Sequence, residues 1–119
     1  MPESDLLDRR MLDAIRQLDD GGTGLVSQVI RIYFDSAPEL LAKLRRGLDD
    51  GDHELVRQAA HSLKSSSANL GAAHLAELCK RVESAARARE LGPDTPRAHE
   101  VEAEFRRVQA ALERELKAA

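Results

Sequence analysis

Four histidines punctuate the chain, His53, His61, His74 and His99, and one of them, His61, is followed three residues later by a lysine, Lys64. On a helix that spacing sets the two side chains on adjacent parts of the surface, about one turn apart. A neutral imidazole nitrogen is a competent nucleophile toward phosphorus near neutral pH, because its unperturbed pKa is about 6.5. Phosphorylated imidazole is also a good leaving group, so the phosphoryl group can move on to a carboxylate. An ammonium beside the ring neutralises phosphate oxygens. Metal chemistry fits poorly, since the four histidines show neither the i,i+4 nor the Glu-x-x-His pairing of bundle metal sites, and no metal is expected. The single cysteine, Cys79, sits among Leu75, Leu78 and Val82 and reads as a packed thiol. It can form no intramolecular disulfide, which fits a reducing compartment.

The element that must position His61 is a helix. On a wheel of roughly 100° per residue, Leu55, Ala59, Leu63, Ser66 and Leu70 fall within roughly 80° of one another and define a buried stripe. His61 lies roughly 180° from its middle, so the ring is expected to point straight out into solvent. Its wheel neighbours, Glu54, Arg57, Lys64, Ser65 and Ala68, are polar or small. A core histidine would sit on the apolar face instead.

Apolar residues recur at helical spacing along almost the whole chain, with no sustained period-2 run. A short first helix is expected at about 6–18, stopped by Asp19-Asp20-Gly21-Gly22. Bundle helices follow at about 24–50, 52–69, 72–90 and 96–117. Within the first of these, Ser36 and Glu39 form a capping-box pattern with Pro38 in the first turn, so a new helix start is expected near residue 36. Asp52 is a good N-cap for the helix carrying His61, and Gly71 suits a left-handed end to it. Thr95 can cap the last helix, whose Val101, Phe105, Val108, Leu112 and Leu116 form an amphipathic stripe. Short connections imply antiparallel neighbours. The fold expected is therefore all-α, an up-and-down four-helix bundle with one or two additional N-terminal helices, in one domain over 1–119.

Composition agrees and sets limits. The 119 residues suit one domain, and an aromatic fraction of 3% with 33% charged residues belongs to a bundle, not a sandwich or barrel. Net charge is -3, and the basic pairs Arg9-Arg10, Arg45-Arg46, Lys80-Arg81 and Arg106-Arg107 are scattered among acids, so no nucleic-acid partner is expected. The stretch Met1 to Arg10 lacks the apolar core of a signal peptide, and no apolar run approaches the roughly 20 residues of a membrane span. A cytoplasmic protein without membrane insertion is expected.

Residues 60–72 read AHSLKSSSANLGA. This stretch resembles the signature of the histidine phosphotransfer (HPt) domain of bacterial two-component phosphorelays. In that signature a phosphorylatable His is followed by Leu at the second position, Lys at the third and small residues at the fourth to sixth. Ala60, His61, Leu63, Lys64, Ser66, Ser67, Asn69, Leu70, Gly71 and Ala72 carry the match, and the helix pattern on both sides extends it over most of the chain. The resemblance implies that His61 is the phosphorylated residue and Lys64 its cation. Ser65 stands where the family most often has Gly, a small residue that leaves room for an incoming partner. Some relatives hold the ring's other nitrogen with a carboxylate or amide on the next antiparallel helix. The corresponding residue here is Glu83, at the border of its apolar stripe, either within reach of His61 or an ordinary surface glutamate. Gln58 and Arg57 are further residues able to frame the site.

A sensor kinase also phosphorylates a helical histidine, but there an acidic residue follows the His, with Pro a few residues on. Here Ser62 follows, the first Pro after His61 is Pro93, and no glycine-rich nucleotide box is present. The resemblance therefore implies a phosphocarrier without kinase activity of its own. It would accept the phosphoryl group from a receiver-domain phospho-aspartate and pass it to another receiver, with a hybrid sensor kinase as a further partner. The Mg²⁺ for the transfer would come from the receiver, and the carrier would be a monomer. The alternative is an adaptor on a degenerate HPt scaffold, binding a signalling partner without phosphorylation.

Overall fold

The computed structural model describes residues 6–19, 22 and 24–118. Its helices are α1 (Arg9–Leu18), α2 (Leu25–Asp50), α3 (His53–Asn69), α4 (Ala73–Arg87) and α5 (Ala98–Ala118). Helices α2 to α5 form the antiparallel four-helix bundle, with α1 packed on α2 as one N-terminal addition. Of the expected stop after the first helix, Asp20 and Gly21 lie outside the described residues, as does the polar stretch from Met1 to Asp5. Among the described residues no helix is long and apolar enough to cross a membrane.

Helix α1 begins later than about residue 6 because Asp8 is its N-cap, accepting from the Arg10 amide at 3.1 Å. Leu6 and Leu7 precede it as a buried lead-in. Asp19 then caps the next helix: its Oδ2 accepts from the amides of Gly24 and Leu25, each at 3.0 Å.

The new helix start expected near Ser36 does not exist. Helix α2 runs unbroken through Pro38. Its buried residues Val26, Ile30, Tyr33, Ala37, Leu41 and Leu44 form one stripe across the position of the break. An interior proline costs roughly 3 kcal/mol, while each fully buried Leu, Ile or Val contributes about 1.5–3 kcal/mol, so the stripe wins. Pro38 itself is exposed, and the Ser36 hydroxyl donates to the Tyr33 carbonyl at 3.4 Å instead of capping.

Residues 51–52 turn the chain into α3, where Asp52 accepts from the Leu55 amide at 3.1 Å. Here α2 and α3 approach so closely that a Cβ on Gly47 would lie 2.7 Å from Val56 Cγ2. At the other end of α3, Gly71 takes the left-handed conformation, with φ +83°. Helix α4 stops at Arg87, short of residue 90. Arg89 adopts φ 59°, and the amides of Arg89 and Glu90 close back on the carbonyls of Ala86 and Ala85. Thr95 does not cap α5: its hydroxyl accepts from the Gly92 amide at 3.1 Å, inside the loop. The α5 start is instead closed by Glu100, whose carboxylate accepts from the Arg97 amide at 3.3 Å, so the helix begins at Ala98.

One core draws on every helix, through Leu12, Ile30, Leu44, Val56, Leu63, Leu75, Val82, Val101, Val108 and Leu112 among others. Cys79 is buried within it, and burial pushes its thiol up to about 12, followed by the charge of Glu83.

Candidate functional site

Helix α3 buries Val56, Ala59, Ala60, Leu63 and Ser67, followed by Leu70 at its end. The stripe is therefore rotated from the expected one, since Leu55 and Ser66 are only half-buried. Two contacts set the rotation. Val56 fills the close approach to Gly47, and Ser67 turns inward to share a 2.8 Å hydrogen bond with the buried Tyr33 hydroxyl. His61 is consequently not aimed straight out. It leans toward α4 with its side chain 55% exposed.

There it meets Glu83, one of few carboxylates in the core, with a side chain only 6% exposed. His61 Nδ1 lies 3.0 Å from Glu83 Oε2. Lys64 Nζ lies 2.6 Å from Oε1, and an Arg87 guanidinium nitrogen donates to Oε2 at 2.8 Å. Burial alone pushes the Glu83 carboxyl up, but Lys64 and His61 outweigh it and hold the group below the ordinary carboxylate range. An ionised carboxylate only accepts, so in the neutral ring the proton sits on Nδ1 and Nε2 keeps its lone pair. Of the two readings of Glu83, the structure takes the one that reaches His61.

The surroundings are open. Ser62, Ser65, Ala68 and Asn69 are all exposed and small, so little bulk stands beside the ring on α3. Arg57 and Gln58 do not converge on the imidazole. Both bond to Glu54, Arg57 through two guanidinium nitrogens at 3.0 and 2.5 Å and Gln58 at 3.0 Å. Those bonds hold the Glu54 carboxyl down at about 2. The residue that sequence reasoning missed is Arg87. Its signal was its i,i+4 spacing from Glu83 on one helix face.

The arrangement is a half-exposed nucleophilic nitrogen, a buried carboxylate fixing the tautomer, and two cations. The family model described as the Hpt domain matches residues 28–115, which include all of these groups.

The chain belongs to the Hpt domain family.

Among known proteins, Histidine-containing phosphotransfer protein 2 of Arabidopsis thaliana is 32% identical over 76 residues, covering 61% of this chain. The match spans 49% of that relative, so this chain corresponds to about half of the longer protein. Histidine-containing phosphotransfer protein B from Pseudomonas aeruginosa PAO1 superposes with a TM-score of 0.85 at 29% identity, covering 96% of each chain. ZmHP2, a histidine-containing phosphotransfer protein from maize, gives a TM-score of 0.82 at 26% identity, covering 98% of this chain and 87% of the maize chain.

Proposed function

We propose that this Hpt domain is a phosphorelay intermediate that carries a phosphoryl group on His61. The observation that carries the reading is the 3.0 Å contact from Nδ1 to Glu83, which leaves Nε2 as the nucleophile on a half-exposed ring. The names of the relatives, histidine-containing phosphotransfer proteins, support it.

The lone pair of His61 Nε2 attacks the phosphorus of a receiver's phospho-aspartate. The N–P bond forms as the P–O bond to the aspartate breaks, and the aspartate leaves as carboxylate. The ring keeps its Nδ1 proton and gains positive charge, which the Glu83 carboxylate offsets. Lys64 neutralises phosphoryl oxygens. The receiver's own Mg²⁺ supplies further charge compensation on its side of the interface. Transfer to a second receiver is the same step in reverse. The docking surface is the exposed face of α3 with the neighbouring face of α2, where the small side chains of Ser62 and Ser65 admit the incoming pocket. The carrier acts as a monomer and in the cytoplasm, a setting that suits its one unpaired cysteine.

The test is incubation with a phosphorylated receiver or an active hybrid kinase. Acid-labile, base-stable label is expected on the wild type and is lost in His61→Gln. Label surviving in that variant would place the phosphoryl group elsewhere. No label on wild type across cognate receivers would favour the non-phosphorylated adaptor.

A further inference from the structure

Lys64 is already occupied. Its ammonium lies 2.6 Å from Glu83 Oε1, and its side chain is 30% exposed, tucked beside the carboxylate. A phosphoryl group on His61 Nε2 would compete with that oxygen for the ammonium. A carboxylate as buried as Glu83 does not stay ionised without a partner, because desolvation favours its neutral form. Protonated, Glu83 would no longer hold the Nδ1 proton of His61 as a pure acceptor. The imidazole tautomer would then be free to change when the transfer needs it fixed.

Arg87 answers this. It bonds to Oε2, the oxygen that also faces His61 Nδ1, and it approaches from α4 itself at i,i+4 spacing. Its position does not depend on where Lys64 points. We infer that Arg87 is a positioning residue: it remains on Glu83 as the resident counter-ion when Lys64 swings from Glu83 to the phosphoryl group, so that His61 keeps its orientation and tautomer through transfer. The two cations thus divide the work, Lys64 shared between Oε1 and the phosphoryl group and Arg87 on Oε2. This rests on His61 being the phosphoryl carrier, but the coupling of Arg87 to His61 through Glu83 can be read without any phosphoryl group.

The charged and titratable groups near Glu83 are His61, Lys64 and, more distantly, Arg57 on α3, with Arg87 and Cys79 on α4. Removing Arg87 takes away one of the two permanent cations in direct contact with the carboxylate. Its loss leaves Glu83 Oε2 held by His61 Nδ1 with no cation on that oxygen.

The experiment uses the full chain in four forms: wild type, Arg87→Ala, Arg87→Lys and Lys64→Ala. Ring ¹⁵N shifts of His61 in the unphosphorylated protein, recorded at a pH where the ring is neutral, report the tautomer. The Nδ1–H fraction should fall in Arg87→Ala, and Arg87→Lys should restore most of it. The rate of phosphoryl uptake from a phosphorylated receiver should fall in Arg87→Ala in step with that fraction. Lys64→Ala should slow uptake about tenfold or more, with a smaller change in the tautomer than Arg87→Ala causes. Identical Nδ1–H fractions in wild type and Arg87→Ala would overturn the inference. So would a Lys64→Ala fraction lowered as far as that of Arg87→Ala. A tautomer shift in a protein that takes up no label would leave the coupling intact and sink the phosphocarrier reading instead.

Discussion

At the scale of residues, the site is built around a carboxylate that the fold holds in a place where carboxylates are scarce. Its effect on stability has a definite sign. The folded-state pKa of Glu83 lies below its ordinary value, so the folded protein binds fewer protons at this group than the unfolded chain does. The stabilisation is fully present above the unfolded pKa of about 4.3 and is lost as pH falls through the folded value. Replacing Glu83 by Gln removes that dependence while keeping an acceptor for His61 Nδ1–H. Urea titrations should show Glu83→Gln less stable than wild type at pH 7, by about 1–3 kcal/mol for the lost charged hydrogen bonds. The gap should narrow toward pH 3, and a gap constant with pH would show that Glu83 is not an ionised partner of Lys64 and Arg87. His61, Lys64 and Glu83 were legible because nucleophile and cation share a helix surface, and the resemblance named the third. Arg87 was less so, since its meaning depends on Glu83 being buried, and burial is a property of the packed bundle. Arg57 and Gln58 were drawn in by nearness to His61, but Glu54, one turn earlier, offers them a closer acceptor.

At the scale of elements, periodicity gave the helices and their faces, and local end signals misled where packing overrode them. Ser36, Glu39 and Pro38 together look like a helix start, yet they sit inside α2 because the apolar stripe from Val26 to Leu44 does not pause there. Thr95 looks like a cap but serves its own loop, and Glu100 closes the α5 end. On α3 the expected stripe took Ser66 where Ser67 is the buried serine, because the residue that selects between them, Tyr33 with its hydroxyl bonded to Ser67, lies on another helix. Pro38 gives this a test. Being exposed and mid-helix, it costs α2 a hydrogen bond to the Phe34 carbonyl without contributing to the core. Pro38→Ala should therefore raise stability, by about 1–2 kcal/mol once the stiffer unfolded chain of the proline form is allowed for. A fall in the urea midpoint would mean that the bundle requires the proline at this place in α2.

At the scale of the whole molecule, the segment before α1 is tied to the far end of α3, an arrangement that nothing local in the sequence announces. The Asp8 amide donates to the Gly71 carbonyl at 2.7 Å, and Leu6 and Leu7 beside it are buried. Farther along, Arg9 and Arg16 of α1 both pair with Glu115 of α5, Arg16 at 3.1 Å, a residue that is itself largely buried. Gly71 is the pivot of the first tie. Its φ of +83° disfavours any side chain, and a Cβ there would lie 2.5 Å from the Asp8 carbonyl oxygen and 2.8 Å from the Asp8 nitrogen. Both are main-chain atoms, so no rotamer change relieves the contact, and the lead-in segment must move away. Gly71→Ala should cost about 1–2 kcal/mol for the left-handed residue, plus the burial of Leu6 and Leu7 that the displaced segment gives up. Hydrogen exchange at the Asp8 amide and in the first turn of α1 should accelerate. The His61, Glu83 and Lys64 contacts lie along α3 and α4 away from that turn, so the His61 tautomer should be unchanged wherever the variant is folded. Exchange at Asp8 as slow as in wild type would show that the lead-in is held by Leu6, Leu7 and the Glu115 pairs alone, with the α3–α4 turn contributing nothing to its docking.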